Sequence, residues 1–230
     1  MIRDILTRVR AEKEFVPIAD FEDVDGYYRM ALERLIWPPS GESRPPRTLG
    51  VTSCYDGEGV STVAAQLATT AAGIDNRRVL LVDGNLAGPS LDGRFGIDRQ
   101  PGFADLLLEL QQEDDVVRPS ELENLALLPA GEVYGSLCQV GTPERMDQVV
   151  ASLAGRFDLV VFDLPPADSH YVVDLARRLD GVLLVVESER VPWEVAQRTR
   201  QRLADAKVHL VGAILNKTRH HVPAWLDRGR

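Results

Sequence analysis

The stretch "SCYDGEGVST" at residues 53–62 follows the apolar run Leu49-Gly50-Val51 and leads directly into "VAAQLATTAAG". It reads as a strand, a turn and a helix. A turn of small residues lets backbone N–H groups close on phosphate oxygens, and the helix behind it adds the positive end of its dipole. Gly57 and Gly59 supply the backbone freedom, and Ser61 stands where a hydroxyl normally holds Mg²⁺. Val60 stands where such loops carry lysine. Taken alone, a Gly-rich turn of this kind also serves tight packing, so the rest of the chain decides.

Outward from this stretch, apolar runs of strand length alternate with helical stretches: "TLGVTS", "RVLLVDG", "LALLP", "FDLVVFDLP", "GVLLVVES" and "LVGAILNKT". Runs apolar on both faces, each followed by a helix, predict an α/β fold with a mainly parallel sheet covered on both sides. Residues 1–37 read as a helical segment, 38–46 ("PPSGESRPP") as a linker, 47–218 as the α/β domain and 219–230 as a polar tail.

With 230 residues, 44% of them hydrophobic, the chain can bury one sizeable core. A net charge of −9 argues against nucleic acid as a partner. The basic residues are mostly arginine; the lysines are Lys13, Lys207 and Lys217. Two cysteines, Cys54 and Cys138, make neither a disulfide framework nor a metal motif. No long apolar segment is present, so the expected location is cytoplasmic, with any attachment to the inner membrane running through a partner.

In an open parallel sheet, ligands sit beyond the carboxyl ends of the strands. Asp83 closes "VLLV" and Asp163 closes "LVVF". Two carboxylates at the ends of buried strands call for a ligand, or for a helix whose N–H groups they cap.

The segments "TSCYDGEGVSTVAAQLA", "RVLLVDGNLAGPSLDGRFGI", "GFADLLLE", "LALLPAGE", "FDLVVFDLPPA", "DLARRLDGVLLVVESE" and "GAILNKT" resemble, in order and spacing, the bacterial tyrosine kinases. These are P-loop proteins of capsule and exopolysaccharide assembly, related to the MinD/ParA ATPases. The resemblance covers roughly residues 25–218. It implies a Rossmann-like P-loop NTPase fold, ATP or ADP with Mg²⁺ as cofactor, and phosphorylation of a tyrosine cluster in the C-terminal tail. It also implies a membrane polysaccharide co-polymerase (chain-length regulator) or other exopolysaccharide proteins as partners, and a possible homo-oligomer. Carried over by residue, the nucleotide-binding set is Gly57, Glu58, Gly59, Val60, Ser61, Thr62 and Asn216, the last where relatives contact adenine. The metal set is Ser61, Asp83 and Asp163, and the two aspartates are also the catalytic residues if the chain is active.

The departures from the family pattern fall together. Val60 replaces the lysine, Asn85 replaces the second acid of the "D-x-D" pair, and Asp56 stands where MinD-type enzymes carry an extra lysine. The tail after Asn216 has no tyrosine. Asp25, Arg29, Glu33 and Arg34 do not follow the order of the ring-forming motif. Losing a charged donor to phosphate costs about 1.5–3 kcal/mol of binding. Losing one preorganised transition-state contact costs about 2.7–4 kcal/mol. The expectation is a catalytically impaired pseudokinase that binds nucleotide weakly or not at all and acts as a regulatory module. The alternatives are an active tyrosine kinase or ATPase with a displaced cation, for which Arg94, Lys217 or an arginine from another subunit are candidates, and a MinD/ParA-like dimerising switch.

Other constellations carry less. Asp168-Ser169-His170 reads as a polar loop, His220-His221 as tail, Cys54 as a small buried filler and "ELQQEDD" (109–115) as a solvated helix end. Trp37, Trp193 and Trp225 read as ordinary packing.

Overall fold

Strands that are apolar on both faces hold their place only between two layers of helix. The computed structural model, which describes residues 15–17, 24–36, 45–133 and 141–218, has that arrangement. Strands β1 (Phe15–Pro17), β2 (Thr48–Ser53), β3 (Val79–Asp83), β4 (Arg118–Pro119), β5 (Leu125–Leu128), β6 (Leu159–Asp163), β7 (Gly181–Glu187) and β8 (Leu210–Asn216) form one sheet. Their order is β1-β8-β7-β2-β6-β3-β5-β4, and every pairing is parallel except β4 with β5. The six expected strands are all present as β2, β3 and β5–β8.

Alternate residues of each strand feed opposite cores. Val79, Leu81, Leu159 and Val161 face α1 (Val24–Ala31), α2 (Val60–Ala72) and α3 (Leu91–Phe95), through Tyr27, Val63, Leu67 and Leu91. Leu80, Val82, Val160 and Phe162 face α4 (Phe103–Leu107), α6 (Pro143–Arg156), α7 (His170–Ala176) and α8 (Trp193–Asp205), through Phe103, Leu153, Val172 and Leu203. A short helix, α5 (Glu113–Val116), precedes β4.

Three local expectations change. Within 1–37, residues Phe15–Pro17 form an edge strand beside β8, and Leu32–Ile36 continues α1 as a π-helix. A three-residue strand is too short to show a period, and its pairing comes from the sheet edge. The acidic run at 109–115 is mostly exposed and closes α4, the Glu109 and Leu110 N–H groups donating to the Leu106 and Asp105 carbonyls. It also starts α5, where Arg156 pairs with Glu113 at 3.0 Å and Asp114 at 2.7 Å. Ser169 caps α7 by accepting a hydrogen bond from the Val172 N–H, which gives the polar loop its role. Residues 38–44 and 219–230, with Trp37, Cys138, His220, His221 and Trp225, lie outside the described residues.

Topology sets the position of the site. From β2 the chain crosses through α2 to β3, on the far side of β6, while β7 flanks β2 on its other edge. The carboxyl ends of β2, β6 and β3 therefore meet where the direction of winding reverses.

Candidate phosphate and metal site

The loop between β2 and α2 is built by its glycines and braced by one buried acid. Gly57 (φ 79°) and Gly59 (φ 93°) take left-handed backbone, which side chains other than glycine adopt at a cost. A Cβ at Gly59 would also lie 2.3 Å from Asn216 Nδ2. Glu58 is wholly buried, and its carboxylate accepts hydrogen bonds from the Tyr55 N–H at 2.6 Å and the Glu187 N–H at 2.9 Å. Burial raises its pKa despite those donors. Asn216 Nδ2 donates to the Glu58 carbonyl at 2.8 Å, so this amide supports the loop from the end of β8.

Two cations lie on the outer lip of the loop. Lys217 Nζ donates to the Gly57 carbonyl at 2.6 Å and pairs with Glu187 at 3.1 Å. Arg190 also pairs with Glu187, at 2.8 Å. Arg190 and then Lys217 hold the Glu187 carboxyl below its usual range. Glu187 and Arg190 were not singled out in the sequence; only a loop geometry placing β7 beside the P-loop gives them a part.

Behind the loop, α2 starts at Val60 with Gly59 as its N-cap and no side chain capping its first N–H groups. Val60 is half-buried and packs against the core that α2 covers. Its apolar side chain thus belongs to the fold. Ser61 and Thr62 follow on the first helical turn, Thr62 exposed. Cys54 is a buried filler, its thiol pushed up chiefly by burial.

The two strand-end aspartates are brought side by side, Asp83 in register with Asp163 on neighbouring parallel strands. Both are completely buried, yet they do different things. Asp83 is occupied by backbone: it accepts from the N–H groups of Ser90 (2.9 Å), Leu91 (3.0 Å) and Asn85 (3.2 Å). It therefore holds the start of α3, the capping role the sequence left open. Its pKa is raised by burial, against the pull of those N–H groups. Among the described residues, none completes a hydrogen bond of normal geometry to either Asp163 oxygen. Burial, with the Asp83 charge adding to it, pushes its pKa up to about 7, while a weak hydrogen-bonding interaction from the Ser61 hydroxyl and then the Arg94 charge act in the opposite direction.

Asn85, in the place of the second acid, turns its side-chain oxygen back to the Gly88 N–H at 3.1 Å. Arg94, on α3, donates from Nη2 to Thr62 Oγ1 at 2.9 Å and so reaches the first turn of α2.

An uncapped helix start of 13 residues, a cradle of left-handed glycines and a buried unpartnered carboxylate fit the phosphates of a nucleotide with its Mg²⁺. Among the described residues, no three His, Cys, Asp or Glu side chains gather as a cage. A Mg²⁺ here would rest on Asp163, the Ser61 hydroxyl, phosphate oxygens and water, as this ion ordinarily does. When bound, such a nucleotide supplies the transferable phosphoryl group and the metal supplies charge neutralisation; the loop lysine is what the chain lacks.

Comparison with known proteins agrees with this geometry. The ParA family model, described as NUBPL iron-transfer P-loop NTPase, matches residues 45–226. Tyrosine-protein kinase YwqD of Bacillus subtilis (strain 168) is 30% identical over 177 residues, covering 75% of this chain and 73% of that protein. The putative tyrosine-protein kinase EpsB of Ralstonia solanacearum, 32% identical over 72% of this chain, is longer, and the chain spans 22% of its length. The crystal structure of the VpsO kinase domain is 30% identical with a TM-score of 0.68, covering 76% of this chain and 86% of that one. The septum site-determining protein MinD of Pyrococcus horikoshii OT3, solved with Mg-ADP, is 25% identical with a TM-score of 0.64 over 78% of this chain and 74% of its own. A P-loop on a parallel sheet, paired strand-end aspartates and these likenesses give one conclusion: the chain belongs to the ParA-type P-loop NTPases and, within them, to the bacterial tyrosine kinase family.

Proposed function

We propose that this chain is a nucleotide-binding, catalytically impaired bacterial tyrosine kinase homologue that serves as a regulatory and interaction module in capsule or exopolysaccharide assembly. The observation that carries the reading is a split within one site. The glycine cradle, the free helix start and the unpartnered Asp163 are retained, while Val60 fills the lysine position and packs into the core. Phosphoryl transfer depends almost wholly on positioned charge, and removing one such contact costs about 10²–10³ in rate. Binding depends more on backbone donors and the helix dipole, which do not need the lysine. Tyr27, Tyr28 and Tyr171 are buried, and among the described residues the exposed tyrosine is Tyr55, on the loop itself.

In this reading the partner is a membrane polysaccharide co-polymerase, and attachment to the membrane runs through it. Among the described residues, no helix is long and apolar enough to cross a membrane. Calorimetric titration with ADP and ATP, with and without Mg²⁺, followed by assays of phosphate release and phosphotyrosine, tests the proposal. Saturable nucleotide binding without turnover is expected. Robust Mg²⁺-dependent hydrolysis or tyrosine phosphorylation would overturn it in favour of an active enzyme with a displaced cation, the reading that the placement of Arg94 beside Thr62 favours.

A further inference from the structure

A phosphate site without its lysine either lacks a cation or draws one from another element, and the geometry separates the two candidates within this chain. Lys217 is on the outside. Its ammonium is held by the Gly57 carbonyl and Glu187, and a loop whose N–H groups face inward turns its carbonyls outward. Arg94 is at the other end of the site. Its guanidinium reaches Thr62 Oγ1, one residue past Ser61, on the helix turn whose N–H groups have no side-chain cap.

The placement is built into the fold. Leu91 is buried and Phe95 packs on the same core, so these two positions, four apart, fix which face of α3 turns inward. Asp83 fixes where α3 begins, through the Ser90 and Leu91 N–H groups. Arg94 itself is exposed, and Thr62 engages one of its five donors. A guanidinium stays charged at all working pH values and presents paired donors that match phosphate oxygens. Its charge also acts favourably on the Asp163 carboxylate.

We propose that Arg94 is the phosphate-contacting cation of this site, replacing the lysine that Val60 displaces, for a nucleoside di- or triphosphate seated at the start of α2. Asp83 is then a positioning residue that acts through α3, a different use from the metal contact implied by family resemblance. The inference rests on the nucleotide-binding reading above, and the test keeps the two apart.

The full chain is titrated with ADP and Mg²⁺ by calorimetry, beside Arg94→Ala and Arg94→Gln, with thermal melting of each protein measured without ligand. Gln keeps a donor for Thr62 and removes the charge. Both variants are expected to melt like the parent and to bind ADP about 10- to 100-fold more weakly, the effect of losing a charged hydrogen bond. Adding Val60→Lys to Arg94→Gln is expected to recover part of that loss, which provides a gain-of-binding readout. If the parent binds ADP and Arg94→Gln binds it equally well, Arg94 is a structural contact to Thr62 and the proposal is overturned, while the nucleotide reading stands. If the parent binds no ADP, both are overturned.

Discussion

Replacing Asp163 with asparagine should stabilise the protein at alkaline pH, contrary to the usual effect of changing a buried polar residue. Asp163 is completely buried at the end of β6, and no described residue completes a well-formed hydrogen bond to either oxygen. Its pKa is pushed up to about 7 from 3.8 despite a weak interaction from Ser61. Raising a carboxyl by that amount corresponds to on the order of 4 kcal/mol against the ionised form. Between about pH 4 and pH 7 the folded chain holds a proton that the unfolded chain releases. Stability is therefore greatest below the unfolded value and is lost as pH rises through 7. Asparagine carries no such penalty, although its buried amide costs roughly 1–3 kcal/mol if unpartnered. The variant should gain about 2–3 kcal/mol on the parent between pH 5 and pH 8, a difference in which other titrating groups cancel. Urea unfolding of the ligand-free proteins at the two pH values measures it. A gap that does not change with pH, or that widens in favour of the parent at pH 8, would refute the account of Asp163 as an uncompensated buried charge. Mg-ADP should narrow the gap at pH 8, because the metal gives the carboxylate a partner and asparagine cannot use it.

Three further outcomes bear on the loop. Gly59→Ala places a methyl on left-handed backbone and against Asn216, so it should cost about 1–3 kcal/mol in denaturant unfolding and abolish detectable ADP binding by calorimetry. Glu58→Ala leaves the Tyr55 and Glu187 N–H groups without their acceptor, and a loss of about 1–3 kcal/mol is expected, with faster amide exchange at those two positions. Asp180→Ala serves as a contrast at the opposite end of β2, where its carboxylate accepts from the Arg47 and Thr48 N–H groups and the Thr48 hydroxyl; it should lower stability by about 1–2 kcal/mol and leave ADP affinity unchanged.

Much of the sheet was legible because parallel strands carry their burial in their composition. Runs such as "VLLVD" and "LVVFD" have no polar face to place on a surface, and the helices between them leave one connectivity class. The elements that escaped were those held by context. Phe15–Pro17 and Arg118–Pro119 are strands only because β8 and β5 offer them an edge. The glycine loop and the pairing of Asp83 with Asp163 were also legible, since the ends of parallel strands converge. What the side chains do there was not. Nothing in "DGNLAGPSLDGRF" tells that Asp83 spends its oxygens on the start of α3, or that Asn85 folds back on Gly88.

That distinction bears on how the family motif is interpreted in this chain. Several positions that relatives are expected to use on nucleotide are occupied here by the protein itself: Glu58 and Asn216 brace the loop, Asp83 starts a helix and Val60 packs against the core. Each of those roles keeps the loop in its phosphate-binding shape whether or not phosphate is ever transferred. Stability alone can therefore preserve the letters of the motif. Asp163 is the exception. A completely buried carboxylate that no described residue engages beyond a weak interaction from Ser61 destabilises the free protein, so packing gives no reason for it. Its presence beside an uncapped helix start and a guanidinium on Thr62 is the strongest physical sign that the site still meets a charged ligand. An asparagine there would have served the fold better.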